Sequence, residues 1–178
     1  GGVHSHSRHI IEMSNLLEKN NCKTWIHIFS DGRDCSPKQL GQDIKRFEMS
    51  LPKNIKIASL IGRYFSMDRD NRWERVKKAF DLIVYGKFDR KFSNTSEGLE
   101  EAYKNNETDE FISPTLIGDY KGFKDGDSLM MINFRADRVR ELLTAILDPK
   151  FKEFKKDINT PILSNNLGMT EYSTELSK

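Results

Sequence analysis

The sequence predicts a three-layer α/β/α domain, with a mixed, mostly parallel sheet flanked by helices, over residues 1–178 as a single unit. Short apolar runs typical of strands alternate with amphipathic patterns typical of helices. The connections are long enough for crossovers between parallel strands. A chain of 178 residues buries one core but is short for two.

The first half of the chain reads as three helices separated by two strands. Residues 24–29 are apolar, aromatic and β-branched, which is typical of a strand buried on both faces. Ser36 and Pro37 suit the cap and first position of a helix. The predicted elements are a helix over 6–20, a strand over 24–29, a helix from Pro37 to before Pro52, a strand over 56–61 and a helix over about 70–85 that Gly86 ends.

The second half is more polar and gives weaker patterns. The stretch 86–113 is predicted to be an excursion at the sheet edge, and residues 150–157 are rich in lysine. The predicted elements are a helix over 96–105, a weak extended segment over 115–117, a strand over 128–133, a helix over 134–147 and a last strand over 161–163.

Composition excludes several classes of function. The 29 basic residues nearly balance 27 acidic ones, which argues against a nucleic-acid binder. No apolar run approaches the roughly 20 residues of a membrane span, and no secretion signal is visible. The two cysteines lack zinc-like spacing. We therefore expect a cytoplasmic protein that engages neither membranes nor nucleic acid.

The start of the chain is unusual. Gly1 and Gly2 lead into a helix pattern, yet no strand and no methionine precede them. Because a glycine pair before a helix usually follows a strand, we expect this chain to be an excised piece of a longer protein.

Five arginines occupy three short loops, and each loop follows a predicted strand. They are Arg33, Arg63, Arg69, Arg135 and Arg138. Loops that leave the carboxyl ends of strands gather on one edge of an α/β sheet, where ligands bind. The planar fork of arginine suits carboxylate and phosphate groups. The pattern predicts a site for a small anion.

Each loop also has a purely structural interpretation. The segment 31–34 is either a simple turn or an anion clamp, with Asp34 able to accept a proton from a hydroxyl. The charges over 68–75 suit a solvated helix start. Arg135 and Arg138 share a face at a predicted helix start, where cations are disfavoured, so a bound anion is indicated.

The histidines and cysteines predict no further chemistry. His4, His6 and His9 have no carboxylate or cysteine partner at metal spacing, so no metal site is predicted in this chain. We expect His4 to touch an anion or hydroxyl, and His27 to be a core residue. Cys35 lacks an adjacent base and is not predicted to be a nucleophile.

Four motifs carry a resemblance to a known family. They are Gly1-Gly2-Val3-His4-Ser5-His6, Asp31-Gly32-Arg33-Asp34, the segment from Gly62-Arg63-Tyr64 to Arg72-Trp73, and Asn133-Phe134-Arg135-Ala136-Asp137-Arg138. In their order and spacing they resemble the cofactor-independent (2,3-bisphosphoglycerate-independent) phosphoglycerate mutases. The resemblance spans residue 1 to about 140, and more faintly 167–172.

The resemblance implies an enzyme of two domains. One is phosphatase-like and carries two divalent metals, usually manganese, and a serine that becomes phosphorylated. The other is inserted into it and grips glycerate, and this chain resembles that inserted domain alone. By the match, the substrate-binding positions are His4, Arg33, Asp34, Arg63, Arg69, Arg135 and Arg138, with Asp34 as the catalytic acid/base.

The implied activity is that of a glycolytic isomerase that interconverts 3-phosphoglycerate and 2-phosphoglycerate. Its expected partners are the substrate and the phosphatase-like domain of the same polypeptide. Because the serine and metals lie outside this chain, the isolated chain is expected to be inactive. The alternative is a free-standing module that binds a phosphorylated metabolite without catalysis.

Overall fold

The computed structural model describes residues 2–174 and 176. Within these residues the chain forms six helices and six strands, with one 3₁₀ turn at Asp109–Phe111. The helices are α1 Ser7–Lys19, α2 Gln39–Met49, α3 Arg63–Ser66, α4 Trp73–Tyr85, α5 Thr95–Lys104 and α6 Arg140–Leu147. The strands are β1 Thr24–Ser30, β2 Ile55–Gly62, β3 Arg90–Phe92, β4 Thr115–Ile117, β5 Ser128–Met131 and β6 Asn165–Gly168.

The main sheet has four strands in the order β1-β2-β4-β3. Strands β1 and β2 are parallel, as are β3 and β4, and the two pairs meet through the antiparallel pairing of β2 with β4. A separate two-stranded parallel sheet joins β5 to β6. The prediction of a mixed, mostly parallel sheet flanked by helices is confirmed.

Side chains that alternate along β2 build the two layers of core. Ile61 packs on one face in a cluster that includes Phe80 of α4 and Leu142 of α6. Leu60 packs on the other face with Ile44 of α2 and Leu99 of α5. Successive strand residues point to opposite faces, so one strand serves both cores. This arrangement fixes the end of β2, where the second arginine loop begins.

Several predicted boundaries were wrong. The predicted helix over 134–147 begins only at Arg140. The predicted strand over 161–163 is irregular because Ile162 exchanges bonds with the turn at Asp125 and Gly126, and β6 forms four residues later. Strand β1 lies at the sheet edge and is half-buried rather than buried on both faces.

Three elements were not predicted: β3, α3 and the 3₁₀ turn. The polar stretch 86–113 contains the edge strand β3, as the predicted excursion requires, but helix α5 in the same stretch packs in the core with Leu60. Helix α3 directly follows β2 and carries Arg63 at its first position. Among the described residues, no helix is long and apolar enough to span a membrane.

His27 predicts how stability depends on pH. Its Nδ1 lies 2.7 Å from the Ser59 hydroxyl oxygen, and burial lowers its pKa from the ordinary 6.5 to about 3. Below pH 6.5 the His27 imidazole is therefore protonated in the unfolded chain, whereas in the folded chain it stays neutral until the pH nears 3. We expect the free energy of unfolding to fall by up to about 1.4 kcal/mol per pH unit as pH drops from 6.5.

Urea unfolding at pH 7 and pH 5, followed by tryptophan fluorescence, tests this expectation. Trp25 packs edge-to-face against Tyr120, which also contacts His27. The fluorescence of Trp25 therefore reports on this region. His27→Gln keeps a polar side chain that does not titrate, and it should show a smaller loss of stability between the two pH values. An equal loss in both proteins would contradict the assignment to His27.

Candidate anion-binding site

Close backbone contacts bring the first two arginine loops together. Strands β1 and β2 are parallel and end in register at Ser30 and Gly62, so the loops that follow them adjoin. The 3₁₀ turn packs against both ends, because Ser30 Oγ donates to the Asp109 carbonyl at 2.6 Å and the Gly62 amide donates to the Ile112 carbonyl at 2.8 Å. A Cβ on Gly62 would lie 2.2 Å from the Glu110 carbonyl oxygen, so glycine is required there.

Arg63 is the centre of the site. Its side chain is only 5% exposed, and Nη1 donates to Asp31 Oδ1 and Asp34 Oδ2, both at 2.6 Å. Its Nη2 lies 3.3 Å from Nε2 of His4. Burial alone would lower the pKa of Arg63, but the two carboxylates outweigh it and raise the pKa. Arg63 is therefore a permanent cation that holds three side chains in place.

Asp31 organises the loop after β1. Its Oδ1 accepts the backbone N–H groups of Arg33 at 3.2 Å and of Asp34 at 3.0 Å. Burial acts to raise the pKa of Asp31, but these two hydrogen bonds and Arg63 together outweigh it, so the pKa is lowered. Sequence reasoning did not single out Asp31 as a site residue, although an aspartate before glycine is a known turn signal.

His4 is buried beside Asp34 and Arg63. Its Nε2 lies 3.5 Å from Asp34 Oδ2, and burial lowers its pKa, with the charges of Arg63 and Arg135 acting in the same direction. Because arginine can only donate, Nε2 accepts and the proton of the neutral ring sits on Nδ1. Within the described part of the chain, that buried Nδ1 has no hydrogen-bond partner.

The third arginine loop joins this centre. The Phe134 amide donates to the His4 carbonyl oxygen at 2.8 Å, which holds the segment 132–139 against the start of the chain. Asp137 Oδ2 accepts from Arg69 Nη1 at 3.0 Å and from Arg135 Nη2 at 3.1 Å. Asp137 therefore links the second loop to the third. Its role was not predicted, because the contact joins segments distant in sequence.

The five arginines converge. Burial lowers the pKa of Arg138, and the charges of Arg69, Arg63 and Arg33 lower it further, as expected for cations that face one another. Arg138 Nη1 donates to the Met67 carbonyl at 3.2 Å, and in residues 2–174 and 176 it pairs with no carboxylate. Arg33 is 60% exposed and lies 3.4 Å from Glu110.

All seven predicted site residues lie in this one cluster, but two of the arguments that led to it were wrong. Arg135 and Arg138 precede α6, so the unfavourable helix dipole does not explain them. Their loop also leaves β5, which belongs to the second sheet. The loop reaches the cluster through the contacts of Phe134 and Asp137 instead.

The cluster offers anion-binding groups rather than a metal site. No group of three or more His, Cys, Asp or Glu side chains in the described ranges could hold a metal ion. His6 caps α1 by accepting the Arg8 amide at 3.2 Å. Burial raises the pKa of Cys35, which keeps it a thiol. Arginine, a neutral histidine and a carboxylate can bind an acidic small molecule and exchange a proton with it.

Residues 1–174 match the protein-family model described as BPG-independent PGAM N-terminus. The chain belongs to that family. The resemblance found in the sequence motifs is confirmed.

Similar proteins carry a consistent name. A 2,3-bisphosphoglycerate-independent phosphoglycerate mutase of Rhodopseudomonas palustris is 46% identical over 177 residues, which are 99% of this chain and 34% of the relative. One of Sulfurimonas denitrificans is 43% identical over 178 residues, which are 99% of this chain and 35% of the relative. The chain thus spans about a third of these relatives.

The fold is also that of a solved mutase. A crystal structure of Leishmania mexicana phosphoglycerate mutase at low cobalt concentration superposes with a TM-score of 0.90 at 29% identity. It covers 99% of this chain, and the chain covers 34% of it. The BPG-independent PGAM family assignment and the fold therefore agree.

Proposed function

We propose that this chain is the substrate-binding domain of a 2,3-bisphosphoglycerate-independent phosphoglycerate mutase. The full-length protein would be a glycolytic isomerase that interconverts 3-phosphoglycerate and 2-phosphoglycerate. The observation that carries the proposal is the convergence of three arginine loops on His4, Asp34 and Arg63 in a chain of this family. The names of the similar proteins supply the substrate class.

The arginines divide into two roles under this proposal. Arg63 is buried and committed to Asp31 and Asp34, so it fixes the site. The others lie nearer the surface and provide forks for the carboxylate and the phosphoryl group of the substrate. These outer arginines are Arg33, Arg69, Arg135 and Arg138.

Asp34 is the acid/base under the proposal. Arg63 holds its Oδ2, whereas its Oδ1 has no partner in the part of the chain that the structure describes. The side chain is 29% exposed, so a glycerate hydroxyl can approach it. A carboxylate fixed by one oxygen and open at the other suits proton transfer to and from that hydroxyl. The unpaired Nδ1–H of His4 adds a donor for a substrate oxygen.

The remaining chemistry belongs to the rest of the polypeptide. In the proposed cycle, the phosphoryl group passes to a serine there, glycerate stays bound and reorients, and its other hydroxyl takes the group back. Two divalent metals, usually manganese, would be bound by that part. The described residues here do not fit a metal site, so we derive no step through a metal. Closure of the two domains would exclude water from the phosphoserine. A cytoplasmic location stays a prediction.

Turnover of the full-length protein compared with this chain tests the proposal. We expect the full-length protein to interconvert the two phosphoglycerates without added 2,3-bisphosphoglycerate. We expect the purified chain to show none of this activity, because the proposed serine and metals lie elsewhere. Activity of the chain alone would contradict the division of labour. A full-length protein that binds phosphoglycerate without converting it would favour the free-standing binding module instead.

A further inference from the structure

Asp137 forms ion pairs with two of the arginines that bind the substrate under the proposed function. One of its oxygens, Oδ2, accepts from Arg69 at 3.0 Å and from Arg135 at 3.1 Å. The two guanidinium groups come from different loops, so this carboxylate is the anion on which they meet. Burial raises the pKa of Asp137, but Arg135 and Arg69 lower it by more, so Asp137 is ionised near neutral pH.

The other carboxylates of the cluster are held differently. Asp31 and Asp34 bind the buried Arg63 at 2.6 Å, and Asp31 also accepts two backbone amides, so both are fixed. Glu110 meets a single arginine at 3.4 Å. Asp137 binds two arginines that are 49% and 46% exposed, at the open side of the cluster. It is therefore the carboxylate best placed to be exchanged for an incoming anion.

We propose that Asp137 is a surrogate anion: in the unliganded protein it takes the place of an anionic group of the substrate on Arg69 and Arg135. The proposal rests on the proposed function, because that function makes these arginines substrate ligands. Two guanidinium groups with no anion between them repel each other, and either Asp137 or an anionic group of the substrate relieves that repulsion. The bound substrate must therefore displace a competing carboxylate. Asp137 thus weakens substrate binding.

Asp137→Asn in the full-length protein tests this idea. Asparagine keeps the shape and an acceptor oxygen but removes the competing charge. We expect the KM for 3-phosphoglycerate to fall by about threefold to tenfold, the effect of two half-exposed ion pairs. Inorganic phosphate, which needs only such an anion site, should inhibit the variant more strongly by a similar factor. An unchanged or raised KM would overturn the proposal.

Asp119→Asn is the matched control. It removes the same charge from the protein, but Asp119 pairs with Lys56 at 3.5 Å, at the start of β2. Lys56 lies about 20 Å from the arginine end of that strand, at about 3.3 Å per residue. Asp119→Asn should leave the KM and inhibition by phosphate unchanged. An equal tightening in both variants would mean that overall charge, and not the place of Asp137, sets affinity, and would overturn the proposal.

Two further variants separate the remaining outcomes. Asp137→Ala removes both the charge and the hydrogen bonds. A lower KM in both the alanine and the asparagine variant supports the surrogate. A raised KM in the alanine variant alone would mean that Asp137 only holds the two loops together, and would contradict the proposal. Arg135→Ala should raise the KM by about tenfold. A normal KM in Arg135→Ala would refute the proposed function of that arginine, whereas a raised KM there with no tightening at Asp137 refutes the surrogate alone.

Discussion

Asp34→Asn is expected to lower kcat of the full-length protein by about 10² to 10⁴, the usual contribution of one general acid/base. Asparagine still accepts the Arg63 hydrogen bond, which is 2.6 Å in the native site, so the loop should keep its shape. It cannot take a proton from a glycerate hydroxyl. The KM for 3-phosphoglycerate should change far less than kcat. Steady-state kinetics in both reaction directions measures the two parameters.

A matched control comes from the neighbouring helix. Asp43 accepts a hydrogen bond from Gln39 at 3.0 Å on the exposed surface of α2. Asp43→Asn makes the same chemical change without touching the cluster, and its kinetics should be those of the native protein. If Asp34→Asn also turned over at the native rate, Asp34 would not be the acid/base.

Arg63→Met is expected to cost both stability and activity. Methionine fills much of the buried volume but leaves Asp31 and Asp34 beside each other without a counter-ion. Loss of one partner of a buried ion pair costs 3–5 kcal/mol, and because both carboxylates are partly exposed we expect about 3 kcal/mol here. Turnover of the full-length protein should become undetectable, since Asp34 and His4 lose their common support. Urea unfolding and an activity assay measure the two effects.

Two comparison variants sharpen this prediction. Arg63→Lys retains the charge, but its single Nζ cannot occupy the positions of both Nη1, which donates to the two carboxylates, and Nη2, which lies beside His4. It should therefore support little activity. Arg33→Met removes an arginine that is 60% exposed and should change the free energy of unfolding by less than about 1 kcal/mol. Equal stability of Arg63→Met and the native protein would show that the buried cation does not organise the loops.

The sequence predicted which residues meet but not how they are held. Arginines after apolar strands were visible as a local pattern, and all seven residues predicted to form the site lie in one cluster. The acidic partners of these arginines could not be predicted, because Arg33 and Glu110 are 77 positions apart in the sequence and Arg69 and Asp137 are 68 apart. Such pairs are set by tertiary packing, and a single sequence contains no signal for them.

The errors in the fold have the same origin. Residues 134–139 have a helical pattern, but the Phe134 amide bonds to His4 and Asp137 bonds to two arginines, so the helix begins at Arg140. Short β3 acquires its strand geometry by pairing with β4, not from its own polar sequence. In both segments tertiary contacts overrode local propensity.

The most direct test of the account is a crystal structure of the full-length protein with 3-phosphoglycerate. We predict that the glycerate lies within hydrogen-bond distance of the outer arginines and of the Asp34 carboxylate, with the Asp137 carboxylate withdrawn from Arg69 and Arg135. A substrate that contacts neither Asp34 nor any of the five arginines would contradict the central claim that this cluster is the substrate site.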